Sequence, residues 1–286
     1  MWFWNSNKKS KWVDLNETEF FSFMRRLPEY GTLARLANDE AANLCVKSVF
    51  LKMGGKKFAY QNTNDGKESA IRSMKNILQT EINNLLQGHY VIGDLANKAR
   101  TGAFSRVLRS SNVDPNEYGA HRGDTELFKA ARWIVHSSSS LAGKVDENSP
   151  INVPKIYRAM KHVVDGMDVR SHNALVYLHQ NLVNQVGLQP SRAPSRLAKY
   201  CGIGGARWLQ QRVSAFASGL PLLQDGDGDS RWDDLACFML GAHLRAHGFT
   251  DGNGRTVRGL FACVLVKGGR EFVVPEKQFE KSLHRL

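Results

Sequence analysis

The residues His247-Gly248-Phe249-Thr250-Asp251-Gly252-Asn253-Gly254-Arg255 place a base, a carboxylate, three glycines and a guanidinium within nine positions. The Gly-Asn-Gly core permits backbone conformations that bulky residues resist. Val257, Leu260, Phe261, Val264 and Leu265 then recur at helical spacing, so a helix begins at the end of the motif. Its first turn offers unpaired N–H groups and the positive end of the helix dipole, which together cradle an anion. Arg255 and Arg258 lie three apart on that turn and are expected to point the same way and grip phosphates. Asp251 supplies a hard oxygen ligand for Mg²⁺. His247 ends the preceding helix as a base for a hydroxyl nucleophile near neutral pH. Phe249 is the apolar anchor of an otherwise polar loop. The residues describe a nucleotide-phosphate site with its own general base. The plainer alternative is a Gly- and Asn-rich helix connection whose His and Asp are incidental, and the density of matched chemistry argues against it.

Other candidate sites are weaker. Asp225-Gly226-Asp227-Gly228-Asp229 opens like a calcium loop, but Ser230 stands where glycine is needed and Ala236 where the bidentate Glu belongs. A solvated turn capping the next helix is the better reading. His243 and His247 are four apart, as in zinc proteases, yet Leu244 replaces the Glu that chemistry needs. His243 is read as a core or supporting histidine. Gly202 to Arg207 lacks the last glycine of a dinucleotide fingerprint and opens no βαβ unit. His136, His162, His172 and His179 have no partner at ligand or triad spacing and are read as core or surface residues. Lys98, Arg106 and Arg109 are read as solvated charge.

The elements that must position the motif are helical. Spacing predicts helices from about Asp14 through Met24, then over 33–49, 68–87, 125–136, 153–164, 171–186, 206–217, 230–246 and 255–266. Between them lie a break at 54–57, a polar loop at 59–65, a soft region at 99–122 and loops at 137–150 and 219–229. Gly187 to Gly205 is too broken for a helix and reads as a loop or short hairpin. The fold class is all-α. A boundary in the soft region divides a helical N-terminal portion, 1–105, from a second domain, 106–286.

Composition is that of an ordinary globular chain, 42% hydrophobic and 23% charged over 286 residues. The net charge of +12 fits a basic surface or a polyanionic partner. The four cysteines, Cys45, Cys201, Cys237 and Cys263, form no CxxC and read as reduced thiols without zinc-ligand spacing. No run is long and apolar enough for a membrane span. The N-terminus lacks an apolar core with a cleavage site, so no ordinary export signal is expected.

His247 to Arg258, HGFTDGNGRTVR, resembles the signature of Fic-domain proteins, HxFx(D/E)GNGRxxR, at every core position. Gly248 stands where many members have proline, a form found in secreted effectors that adenylylate a switch-region Thr of Rho-family GTPases. Ala130 to Ile134, Ile203-Gly204-Gly205 with Trp208 to Gln211, and Ser282 to His284 are similar to segments of such effectors. The likeness is traceable over 110–286. It implies a Fic-type helical bundle with a small β-hairpin flap, ATP as co-substrate and Mg²⁺ as cofactor. By resemblance, His247 deprotonates the target hydroxyl and Asp251 holds the metal. Gly252, Asn253 and Gly254 form the anion nest, Arg255 holds phosphates and Arg258 receives the γ-phosphate. The 187–205 segment, with Ile203, Gly204 and Gly205, aligns the target. The implied activity is protein adenylylation of a Ser, Thr or Tyr hydroxyl, with a small GTPase as the expected target.

The inhibitory pattern of many members, [S/T]xxxE[G/N], is missing: Glu147-Asn148 is preceded four residues earlier by Gly143. The resemblance then implies a constitutively active enzyme or one restrained by an antitoxin, with a secretion chaperone as a further partner. The expected setting is a virulence effector acting in a target-cell cytosol, or alternatively a toxin in the bacterial cytoplasm. Two rival readings stand beside it. One keeps the chemistry with another donor, UTP or CDP-choline, or a phosphotransfer. The other is a basic nucleic-acid-binding or scaffold protein, which lacks aromatic–basic interleaving or a recognition-helix motif, so no nucleic-acid partner is expected.

Overall fold

A computed structural model describes residues 12–37, 39–52, 58–137, 153–183, 202–221, 223–249 and 251–285. The chain divides into two compact units, Met1–Leu86 with Tyr200–Gly205, and Gln87–Lys199 with Ala206–Leu286.

In the first unit, β1 (Trp12–Leu15) pairs antiparallel with β2 (Phe58–Gln61), Trp12 opposite Gln61 and Leu15 opposite Phe58. The polar run 59–65 predicts a loop, whereas 58–61 is strand. A four-residue strand carries too little periodicity to announce itself, and its partner lies more than forty residues away. Helix α1 (Glu17–Met24) starts with a capping box: the Asn16 side chain accepts from the Glu19 N–H, and the Glu19 carboxylate accepts from the Asn16 N–H. The single helix expected over 33–49 is instead two, α2 (Pro28–Ala37) and α3 (Asp39–Lys52). Phe20, Met24, Leu33, Val46 and Val49 are buried between them, and the Phe20 and Phe50 rings meet at 5.1 Å. The break expected at 54–57 lies outside the described residues. Helix α4 (Asn64–Arg100) extends the amphipathic stretch expected over 68–87 at both ends.

The second unit is built around α11 (Asn253–Lys267), which packs against α6 (Glu126–Ser137), α7 (Val153–Gly166), α8 (His172–Val183) and α10 (Arg231–Ala246). Residues 259–265 are buried without interruption, as a helix enclosed on all sides requires. Helix α10 also packs against α5 (Ser105–Ser110) and α12 (Lys277–Arg285). Helix α9 (Gly202–Ser218) buries Ala206, Leu209, Val213 and Ala217. The spacing predicts no helix over 202–205, yet α9 begins at Gly202. Glycines are tolerated in a first turn, where N–H groups have no intrahelical partner, and the apolar face beyond them holds the helix. The soft region from 99 contains the end of α4, all of α5, a 3₁₀ turn at Pro115–Tyr118 and β3 (Asn112–Val113), which pairs with β4 (Val274–Pro275). Asp124 lies just before α6. Its carboxylate accepts from the His121 N–H and Arg132 Nε, both at 2.9 Å. The described helices and two short sheets bear out the all-α class. No helix among the described residues is long and apolar enough to cross a membrane.

Two arginines converge on Asp233 at the start of α10. Arg109 donates Nε at 2.8 Å and Nη2 at 2.6 Å, and Arg270 donates Nε at 3.1 Å and Nη2 at 2.9 Å. The Asp233 side chain is fully buried. Burial disfavours its charge, but the hydrogen bonds from Arg109 and Arg270 prevail and hold its pKa below the ordinary range. Two bidentate forks thereby tie α5 and the chain after α11 to the first turn of α10. The aspartates that resembled a calcium loop are occupied locally. Asp227 accepts from the Asp229 N–H and Trp232 Nε1, and Asp229 accepts from Arg231. Cys45, Cys237 and Cys263 are buried, and Cys201 lies outside the described residues.

Asp233→Ala leaves two guanidiniums without their shared anion. It is expected to lower stability by about 3–5 kcal/mol, read as a fall in the urea midpoint, and a loss below 1 kcal/mol would mean the node contributes as little as a surface pair.

Candidate active site

The connection from α10 to α11 carries the motif. His247 is the C-cap of α10, with φ 46° and ψ 49°, and its N–H donates to the His243 carbonyl at 3.0 Å. Among the described residues it is the sole non-glycine with positive φ. A left-handed residue with a side chain costs on the order of 1 kcal/mol, and the surrounding contacts must hold it there. Asn253 supplies two of them. The Phe249 N–H donates to its Oδ1 at 3.0 Å, and its Nδ2 donates to the Phe249 carbonyl at 2.6 Å. The Phe249 ring is buried and stacks flat on His179, with centroids 3.8 Å apart and planes 6° from parallel. His179 Nε2 in turn lies 3.0 Å from the Asp251 carbonyl. Because a carbonyl only accepts, this nitrogen carries the proton. The loop is thus clamped from α11 through Asn253 and from α8 through His179.

Gly252 is the N-cap of α11 at φ 74° and has no side chain with which to cap this terminus. A Cβ at Gly252 would both require a left-handed residue and overlap the Val183 side chain of α8. The first turn of α11 therefore presents its N–H groups from a close-packed glycine. Asp251 stands at its edge, its side chain about half exposed at 49%. Its Oδ1 accepts from the Gly252 N–H at 2.6 Å.

The two arginines take different partners. Arg255 is buried, with Nη1 3.5 Å from the Leu182 carbonyl and Nη2 3.5 Å from Asp251 Oδ2. Both contacts sit at the outer limit of a hydrogen bond. Burial lowers the pKa of this guanidinium, with only partial relief from Asp251. Arg258 runs to α12, donating Nη2 to Glu280 Oε1 at 2.8 Å, with its guanidinium 5.4 Å from the Trp133 ring centroid. The shared direction expected of the pair is not realised: Arg255 faces α8 and Asp251, while Arg258 is enclosed by Trp133 and Glu280.

The structure brings His247, Asp251, Gly252, Asn253, Gly254, Arg255 and Arg258 to one helix junction. Ile203, Gly204 and Gly205 stand in the first turn of α9, and 184–201 lies outside the described residues. His179, Glu280 and Trp133 also contribute. Each meets the motif across more than twenty residues of chain, so no local spacing reports them. Among the described residues no group of three or more His, Cys, Asp or Glu is arranged to hold a metal by itself.

No family model matches the chain. It is similar to the protein adenylyltransferase VopS of Vibrio parahaemolyticus serotype O3:K6 (strain RIMD 2210633), with 26% identity over 258 residues, 88% of this chain and 59% of that protein. The chain thus spans about three-fifths of that relative's length. The crystal structure of the Fic domain-containing AMPylator VopS superposes with a TM-score of 0.70 over 94% of this chain and 82% of that one, at 20% identity. The fold is the one seen in that structure.

His243, one turn before His247, is almost fully buried, and neither ring nitrogen has a hydrogen-bond partner among the described residues. Burial, then the neighbouring His172, lowers its pKa to about 3. The unfolded chain binds this proton near pH 6.5 and the folded chain does not. Stability is therefore full above pH 6.5 and declines as pH falls toward 3. At pH 5 the loss from His243 is about 2 kcal/mol. Urea unfolding at pH 7.5 and 5 should show it, and His243→Leu should flatten the pH dependence by that amount.

Proposed function

We propose that this chain is a Fic-type protein adenylyltransferase, moving AMP from ATP to a Ser, Thr or Tyr hydroxyl of a target protein with release of pyrophosphate. The observation that carries the proposal is the α10–α11 junction. An uncapped helix N-terminus, a half-exposed carboxylate, a loosely partnered buried guanidinium and a left-handed histidine meet at one loop. The similarity to VopS, whose name records adenylyltransferase activity, supports the choice of AMP as the group moved.

The residues fit Mg²⁺. The metal binds through one or two carboxylates with the rest of its shell from phosphates and water, and Asp251 offers one carboxylate beside the phosphate cradle. When bound it would neutralise phosphate charge. The N–H groups of Gly254 and its neighbours take phosphate oxygens. Arg255 exchanges two 3.5 Å contacts for charge-assisted bonds to an anion. His247 accepts the proton of the attacking hydroxyl, and that oxygen displaces pyrophosphate from the α-phosphorus. Positioning and charge neutralisation provide most of the rate.

The catalytic portion is 106–286 and the 187–205 segment aligns the target, with a small GTPase the first candidate and 1–105 serving target or secretion contacts. An effector released into a target cell is the setting that the resemblance favours. Arg258 is held by Glu280, although the inhibitory sequence pattern is absent. An incoming terminal phosphate must take Arg258 from this carboxylate.

Intact-mass analysis of the protein and candidate GTPases after incubation with Mg-ATP is expected to show gain of one adenylyl group, lost in His247→Ala. Label incorporated from UTP or CDP-choline but not ATP would overturn the donor assignment. Glu280→Gln should lower the KM for ATP several-fold, and an unchanged or raised KM would remove Arg258 from the phosphate contacts.

A further inference from the structure

Gly248 separates the base from its clamp. His247 is fixed on one side through its N–H to His243, and Phe249 on the other through Asn253 and His179. Between them, a Cβ built at Gly248 would overlap three atoms of one side chain, Cδ, Nε2 and Oε1 of Gln210. The carboxamide of Gln210 therefore rests directly against the backbone of Gly248. Gln210 is 2% exposed, on the α9 face that also buries Ala206, Leu209 and Val213. A surface glutamine could swing away from an added methyl group. This one is enclosed and has nowhere to go without opening the packing around it. The φ of Gly248 lies outside the left-handed region, so a side chain at this position is excluded by Gln210 and not by the backbone.

We propose that Gln210 is a positioning residue for His247. Its carboxamide is the seat against which Gly248 is pressed, and that contact sets where the imidazole stands. The direction of a side chain at a C-cap follows from the peptide on either side of it. Asn253 and His179 hold the loop from α11 and α8, and Gln210 meets it from α9. A glycine at 248 and a glutamine at 210 are then one device: the first makes room for the second, and the second replaces the support that a bulkier loop residue would give.

The proposal rests on the assignment of His247 as the base, so its test needs a readout that does not depend on turnover. The His247 imidazole resonances, identified by their loss in His247→Ala, report its surroundings in the full-length chain. Gln210→Ala, Gly248→Ala and the double variant are compared with wild type by urea unfolding, by these resonances and their titration, and by transfer from Mg-ATP. Gly248→Ala should lower the urea midpoint and move the His247 resonances, and adding Gln210→Ala should recover most of the midpoint. Gln210→Ala alone should shift the His247 titration and lower kcat about tenfold or more, leaving the KM for ATP within about twofold. Additive midpoints in the double variant, or His247 resonances unmoved by Gln210→Ala, would overturn the proposal. Absence of transfer by the wild type would remove the adenylyltransferase reading, while the midpoints and resonances still decide whether Gln210 places His247.

Discussion

The site depends on one carboxamide. Asn253 must be the first residue of α11 and also reach back to both backbone groups of Phe249. Each of these buried bonds contributes about 1 kcal/mol net, but leaving either Phe249 group unpaired would cost more. An aspartate could accept from the N–H but not donate to the carbonyl, and a leucine could do neither. The clamp closes a four-residue loop, and the rest of the junction then has little freedom. Gly252 is left to turn the chain in the left-handed region, which glycine does cheaply. His247 is forced into that same region, and α11 begins with no side-chain cap. The Asn253 side chain thus holds the loop and not the helix end.

The polar groups around this loop follow a consistent electrostatic pattern. The histidines that surround it are held neutral. Burial lowers His179 against the help of the Asp251 carbonyl, and lowers His172 with added repulsion from Arg207. Neutral imidazoles can pack in the core as flat polar rings, as His179 does on Phe249, without adding positive charge behind the cradle. The cationic charge sits on guanidiniums, which stay ionised even when burial lowers their pKa. Arg255 bears that burial with two long contacts, and Arg258 offsets it with Glu280 and the Trp133 face. The loosely held guanidinium is the one beside Asp251.

The sequence made the motif legible because its chemistry is local. A base at a helix end, glycines at a turn and a carboxylate beside a helix start are all defined within nine residues. The helices α7, α10 and α11 were legible for the same reason, since each carries its own run of apolar residues at helical spacing. What stayed hidden is non-local. The β1–β2 pair joins segments on either side of three helices, and Asp233 gathers arginines 124 residues before it and 37 after it. His179 was read as a histidine without a partner, because its partner is 72 residues away. The first turn of α9 was missed for a different reason. Three glycines outweigh helix propensity locally, and only the buried face from Ala206 onward reverses that balance.

The two arginines show where a pattern-based reading stops. A spacing of three residues puts two Cα atoms on one side of a helix, but it does not fix where long side chains end. On a helix enclosed by four others, each guanidinium goes to the neighbour that can satisfy it. For Arg255 that neighbour is α8, whose last turn offers the Leu182 carbonyl. For Arg258 it is α12, which offers a carboxylate. The cradle is therefore asymmetric. Its inner arginine is packed in place before any anion binds, and its outer arginine has to change partners. An anion that reaches only the inner position gains charge-assisted bonds at no cost in broken ones stronger than 3.5 Å contacts. One long enough to reach the outer position must also displace Glu280 from a 2.8 Å ion pair. Under the proposed reading, the length of the polyphosphate matters as well as its charge, because the outer arginine is held by Glu280.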